Sequence, residues 1–286
     1  MSSPPPAARP IRGDEVIREP GFSYLPRFVS VKEAEELGRY FAGLRPLWEQ
    51  RYGPDSQSRR GSRGRLTRPV YWLGAWQFAA LGYYSEPDHQ HQKCVSAEPI
   101  PPVMVSILER LRDELALHGD HGPLPNTCLI NYYGSEPKDG RKPPVDYARL
   151  RMHRDAEPGA VVMLSVGQPA QLEFVTPGAE SPEHAQWVRN RSVVIISGDE
   201  YKDRLYHRVT RVRYGAEPVL ESKLDRFDVR RVSVSFRHVP TEHIHDLGEL
   251  DEPARRLVWP YVEELAEHSE HFAAQLQTSR EDEGAS

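Results

Sequence analysis

Residues 231–237 read Arg231-Val232-Ser233-Val234-Ser235-Phe236-Arg237, a strict alternation of polar and apolar side chains. With a period of two, the polar set faces one side of a strand and Val232, Val234 and Phe236 face the other. Two guanidiniums on an inward face are costly unless they meet carboxylates. A bound dicarboxylate meets that need, because an Arg fork grips a carboxylate bidentately. Outward from this stretch, the second half of the chain holds more runs of the same kind. Thr127–Tyr133, Val161–Val166, Gln171–Val175, Ser192–Ile196 and Leu205–Val209 are short, apolar or alternating, and bounded by Gly and Pro. Strands at this spacing predict a mainly β fold, a double-sheet roll or barrel with buttressing helices.

The same half carries His153-Arg154-Asp155 and, 54 residues after His153, His207 in the run Leu-Tyr-His-Arg-Val. Side chains at i and i+2 point the same way in a strand or its exit loop, so His153 and Asp155 can grip one metal together. His207, on another strand, can project into the barrel as the third ligand. Two imidazoles and a carboxylate hold one face of Fe(II) and leave the opposite sites to a co-substrate and O2. An H-x-D tripeptide alone decides little, since many lie on surfaces. Its order and spacing relative to His207, Arg231 and Arg237 are what point to iron. The dicarboxylate that fits this set is 2-oxoglutarate, its keto-acid end on the metal and its far carboxylate on an arginine.

At 286 residues, 38% hydrophobic and 28% charged, the chain can bury a substantial core. Cys94 and Cys128 form neither a disulfide framework nor a C-x-x-C metal site, which fits a reducing compartment. No stretch is long and apolar enough for a membrane span, and the N-terminus has no signal-type apolar core. A cytoplasmic monomer is expected. A net charge of −5 excludes a uniformly basic nucleic-acid coat but leaves room for a local basic groove.

Residues 1–20, rich in Pro, Ser, Ala and Arg without apolar period, are expected to be a disordered tail, with order starting near Gly21. Ser30-Val-Lys-Glu33 is a capping box opening a helix through about Leu44. Residues 55–68 carry Arg59, Arg60, Arg63, Arg65 and Arg68 among Ser and Gly, which reads as a flexible basic loop. Tyr71, Trp72, Trp76, Phe78, Tyr83 and Tyr84 follow it. A second helix starts at Pro101-Pro102 and runs along Val103, Ile107, Leu108, Leu111 and Leu115. A last helix is expected from Pro253 to about Gln277. These readings divide the chain into the 1–20 tail, a catalytic domain over 21–245 and a C-terminal helical extension over 246–286.

The collective pattern resembles the AlkB family of Fe(II)- and 2-oxoglutarate-dependent nucleic-acid dealkylases. The likeness runs through Leu129-Ile-Asn131-Tyr-Tyr133-Gly, His153-Arg-Asp155, Val161–Gly167, Leu172-Glu-Phe174, Ser197-Gly-Asp199, Tyr206-His207 and Arg231-x-Ser-x-Ser-x-Arg237. The resemblance implies a double-stranded β-helix, the jelly-roll dioxygenase core. By it, His153, Asp155 and His207 bind iron, and Arg231 pairs with the far carboxylate of 2-oxoglutarate. Asn131 and Tyr133 hydrogen-bond the co-substrate, Ser233 stands on the same strand face, and Arg237 lies beside the metal-bound end and Asp155. Glu157 stands where the family often reads the exocyclic amine of a damaged base. Trp76 and Tyr84 resemble an aromatic lid, within about 55–90, that stacks on a flipped base, and the arginine loop would hold phosphates.

The implied activity is oxidative demethylation of alkylated bases in DNA or RNA, releasing formaldehyde, succinate and CO2. Two departures stand out: an insertion from Ser135 to Tyr147, and Ser233 where the family often has Asn. Trp76, Tyr83 and Tyr84 equally suit packing against the helices, Glu157 suits plain surface charge, and the arginine run suits a solvated loop. Two other functions compete with the leading one. One is a hydroxylase or demethylase of a protein or small molecule, and the other is a non-catalytic nucleic-acid-binding relative.

Overall fold

The computed structural model describes residues 15–51, 64–65, 68–78, 81, 93–137, 145–146, 149–213 and 220–285. Two sheets face each other across the site. The larger runs in the order β1 (Ile17–Glu19), β2 (Phe22–Leu25), β14 (Val193–Ile196), β11 (Val161–Gly167), β16 (Asp228–Arg237), β8 (Thr127–Glu136) and β5 (Val70–Leu73), with β9 (Val145–Asp146) beside β8. The smaller runs β10 (Leu150–His153), β15 (Tyr206–Val212), β12 (Ala170–Val175) and β13 (His184–Val188). Consecutive strands β11 and β12 lie in different sheets, which is the roll expected from the strand spacing. Gly167 makes the corner between them: its φ is +94°, and a Cβ there would lie 2.5 Å from the Arg230 carbonyl oxygen.

Strand β16 shows why the alternation at 231–237 mattered. Every residue from Val229 to Arg237 is buried, so both faces of the strand are covered. Val232, Val234 and Phe236 join a core shared with α1 (Val31–Gly43), α2 (Pro102–Arg110) and α3 (Arg112–Leu117). Arg231, Ser233, Ser235 and Arg237 line the cavity between the sheets. A second apolar cluster on the cavity side includes Leu172, Phe174, Val194, Tyr201 and Val209.

The capping box at Ser30 and Glu33 forms as expected. Elsewhere the structure corrects the sequence reading. Order begins before Gly21, because Ile17–Glu19 pairs antiparallel with β2; residues 1–14 of the expected tail lie outside the described residues. The second helix breaks at Leu111, which caps α2 and precedes α3. The last helix is two, α4 (Glu252–Ala266) and α5 (Glu270–Ala285), because Ser269 accepts from the Phe272 amide and starts a new helix. The insertion at Ser135–Tyr147 is partly sheet, with Ser135 and Glu136 paired to β9, while residues 138–144 and Tyr147 lie outside the described residues.

Val258, Val262, Leu265 and Phe272 of these helices enter the same core as β5 and β8. A small sheet of β6 (Ala75–Gln77), β7 (Cys94–Ser96) and β17 (Ile244–His245) lies beside them, and β3 (Gln50–Arg51) pairs β4 (Gly64–Arg65). Among the described residues no helix is long and apolar enough to cross a membrane.

Candidate metal and co-substrate site

Histidine 153 ends β10 and stands directly opposite His207 of β15 in the antiparallel register. Their ring centroids are 4.2 Å apart. Asp155, in the loop that leaves β10, brings Oδ2 to 3.5 Å from His207 Nε2. One ligand atom from each of the three side chains lies within 4.8 Å of the others, which is the convergence a shared ion needs. His153 Nδ1 lies 2.9 Å from the Arg151 carbonyl oxygen, so the proton sits on Nδ1 and Nε2 is left for a metal.

The electrostatics suit a cation. Burial, with His207 close by, pushes His153 down to about 3, and burial also lowers His207, so both imidazoles are neutral at ordinary pH. Burial pushes the Asp155 carboxyl up, but the Arg237 guanidinium and the two histidines outweigh it and hold it well below the usual carboxylate range. Arg237 donates from Nη2 and Nε to Asp155 Oδ1 at 2.6 and 3.0 Å. Its Nε also lies 3.2 Å from Glu157 Oε1. Neutral imidazoles and an ionised carboxylate are the protonation states that ligation requires.

Arg231 closes the other end of the cavity. Nη1 donates to the carbonyls of Gln168 and Val188 at 3.1 and 3.3 Å, and Nη2 donates to Ser165 Oγ at 2.6 Å. Those partners are neutral, and Nε is buried with no partner among the described residues. Burial pushes Arg231 down to about 10, so this end of the cavity favours an anion. No Asp or Glu is among the described residues that line the cavity, whereas Asn131, Tyr133, Ser165 and Ser233 do line it. The strand register explains the grouping: Asn131, Ser233 and Ser165 form one row across β8, β16 and β11, and Tyr133 lies beside Arg231 in the next. The donor sets at the two ends thus fit Fe(II) and the far carboxylate of 2-oxoglutarate.

Two substrate-side expectations fail. Trp76 is 1% exposed, its indole N–H donates to Glu49 Oε1 at 2.8 Å, and its ring meets Tyr261 of α4 edge-on. A buried, doubly engaged indole offers no face to a base, so it packs the core. Arg68 is not part of a phosphate-gripping loop, since it is buried and its Nε donates to Asn131 Oδ1 at 2.6 Å inside the cavity. Arg68 lies at a bend two residues before β5, and Pro69 after it is the sequence mark of that turn into the strand. Tyr83, Tyr84, Arg59, Arg60 and Arg63 lie outside the described residues, and so does the side chain of Arg65. Glu157 is 4% exposed, with Arg237 and the side chain of Gln77 beside its carboxylate.

Ser165 and Lys202 went unnoticed in the sequence. Ser165 is the lone polar residue in the apolar run of β11, which is a legible sign of a lined cavity. Lys202 donates to the carbonyls of Glu157 and Gly159 and so pins the loop that follows Asp155. In a second grouping, Glu183, His184 and Glu200, Arg204 already pairs with both glutamates.

No curated protein matches the chain. Among solved structures, one reported as OsALKBH1 is similar at 18% identity and a TM-score of 0.47, covering 78% of this chain and all of that one. A 2OG-Fe(II) oxygenase family oxidoreductase from Burkholderia pseudomallei is similar at 15% identity and a TM-score of 0.44, covering 77% of this chain and 85% of that one. The model of the 2OG-Fe(II) oxygenase superfamily matches residues 21–237, a span that contains the histidines, the aspartate and both cavity arginines of β16. The chain belongs to the 2OG-Fe(II) oxygenase superfamily.

Proposed function

We propose that this dioxygenase removes methyl groups from alkylated bases in DNA or RNA. His153, Asp155 and His207 would hold Fe(II), Arg231 the far carboxylate of 2-oxoglutarate, and Asn131, Tyr133 and Ser233 its polar edges. When bound, the iron and 2-oxoglutarate supply O2 activation, which oxidises a methyl C–H while 2-oxoglutarate becomes succinate and CO2. Arg237 orients Asp155 and balances its charge. Leu129, Leu150, Leu172, Val194 and Val209 line the cavity and exclude water from the oxidant. An N-hydroxymethyl base then collapses to formaldehyde and the unmodified base.

The observation that carries the base-directed reading is Glu157. Its carboxylate is buried one guanidinium away from Asp155, between Arg237, whose Nε lies 3.2 Å from Oε1, and the side chain of Gln77. A buried carboxylate at this place, two residues after Asp155, suits the exocyclic amine of a base. A second reading, oxidation of a protein or small molecule, gains from the burial of Trp76 and the inward turn of Arg68, which remove two nucleic-acid contacts expected of the sequence. Formaldehyde release from methylated DNA and RNA oligonucleotides, a methylated peptide and free methylated nucleosides separates the two. Release from an oligonucleotide, reduced by Glu157→Ala, supports the proposal; release from the peptide or nucleosides alone overturns it.

A further inference from the structure

Arginine 68 enters the cavity from the bend just before β5, the edge strand of the larger sheet, opposite the wall that carries His153 and His207. It is 4% exposed, lines the same cavity as Arg231 and the metal-binding histidines, and lies with Cζ 5.8 Å from the Tyr133 ring centroid. Its Nε donates to Asn131 Oδ1 at 2.6 Å. Val70, two residues on, pairs with Asn131 in the β5–β8 register, so the sheet itself fixes the approach.

The consequence lies in the chemistry of an amide. An Asn side chain can turn either its oxygen or its NH2 toward a ligand, and the two orientations have nearly the same shape. A guanidinium is donor-only and permanently charged, so a bond to Arg68 is possible only when the Asn131 oxygen faces it. The NH2 must then face the other way. One of its N–H groups makes a long contact, 3.4 Å, to the Leu129 carbonyl, which leaves the other for a ligand in the cavity. Asn131 is thereby made a donor, matched to the oxygens of a 2-oxo acid; turned around, it would set an oxygen against them.

We infer that Arg68 is a positioning residue for the co-substrate, locking the Asn131 amide so that its N–H, not its oxygen, meets 2-oxoglutarate. This rests on the reading that Asn131 contacts the co-substrate. The action runs through Asn131, so removing Arg68 and removing the Asn131 side chain should weaken the same interaction.

Calorimetric titration of 2-oxoglutarate into the Mn(II)-loaded protein without O2 measures this apart from turnover. Wild type should bind. Arg68→Ala should raise Kd roughly tenfold, as expected for a lost charge-assisted contact and an amide free to turn. Arg68→Lys, which can still donate one hydrogen bond, should fall between. Asn131→Ala should match Arg68→Ala, and the double variant should be no weaker than the poorer single one, the non-additivity of residues acting as one unit. Mn(II) affinity should stay within about twofold in all variants, because His153, Asp155 and His207 are untouched. If wild type binds and neither Arg68→Lys nor Arg68→Ala changes Kd, the inference falls while the co-substrate site stands. Fully additive effects of Arg68→Ala and Asn131→Ala overturn it as well. If Arg68→Ala does not fold, a Kd for Arg68→Lys equal to wild type overturns it, and a raised one that Asn131→Ala abolishes supports it. No binding by wild type removes the co-substrate reading and this inference together.

Discussion

Asp155 balances two demands that pull in opposite directions. It must stay ionised to bind a cation, yet it is 95% covered, its side chain only 5% exposed, and burial favours the neutral form. Arg237 resolves the conflict with two hydrogen bonds to one carboxylate oxygen, which leaves the other oxygen beside His207. His153→Ala, Asp155→Ala and His207→Ala should therefore each abolish co-substrate turnover with the fold kept, as circular dichroism and a succinate assay would show; near-normal succinate from any two of them contradicts the triad. At the other end, Arg231→Ala should weaken 2-oxoglutarate binding by ~2–5 kcal/mol, the cost of losing one partner of a desolvated charge pair. Metal affinity should stay unchanged, and an unaltered co-substrate KM would remove Arg231 from the role. Arg231→Lys should recover only part, since an ammonium lacks the fork. The convergence of these residues was legible because His153, His207 and Arg231 sit on strands and Asp155 just beyond one, where residue type and order agree. Arg68 was not, because five arginines among Ser and Gly resemble a solvated loop, and only the proline after it betrays the strand.

At the scale of elements, α1 is held by its capping box and by a clamp to α2. Glu33 accepts from the Ser30 amide and pairs with Arg110, with Nη2 to Oε2 at 3.1 Å. The Arg110 hydrogen bond, followed by those from Ser30, lowers Glu33 from 4.5 to about 2. A carboxyl whose folded value is depressed stabilises fully above its unfolded value and loses that contribution as pH falls through the folded one. Glu33→Gln should thus lower stability at neutral pH by a small amount, under ~1 kcal/mol for a pair at the surface. The difference from wild type should shrink as pH falls from about 4.5 toward 2; a gap that persists in thermal melts near the lower limit contradicts the assignment. The aromatic element at Trp72–Trp76 behaves unlike the lid its composition suggested. Both indoles donate to Glu49 Oε1, at 2.7 and 2.8 Å, and this shared acceptor turns them inward. Trp76→Ala should cost ~3–5 kcal/mol of stability while the folded fraction keeps its co-substrate turnover. Lost turnover at unchanged Tm would return Trp76 to the substrate side. An aromatic run carries no mark of whether its faces meet a base or a helix, and the partner here, Tyr261, lies far along the chain.

In the whole molecule, two sheets enclose the chemistry and helices at both ends of the chain buttress the outer face of the larger one. The roll was readable from the second half, where Gly and Pro punctuate strands of even spacing. The contribution of α4 and α5 was harder to foresee, because an amphipathic stretch shows that one face is buried but not what covers it. Their Val258, Val262, Leu265 and Phe272 share the core of β5 and β8, so a chain ending at residue 245 should lose cooperative unfolding in calorimetry; a sharp, unshifted transition contradicts that packing. Together these layers bring the candidate metal ligands His153, Asp155 and His207 to one end of the site and set Arg231, proposed to hold the far carboxylate, at the other. The measurement closest to that claim is succinate formed from 2-oxoglutarate by purified protein supplied with Fe(II) and O2, compared with Asp155→Ala. Wild type should form succinate and CO2 in equal amounts, with Fe(II) required, and the variant should form none. No 2-oxoglutarate consumption by folded, iron-loaded wild type, or equal consumption by the variant, would contradict it.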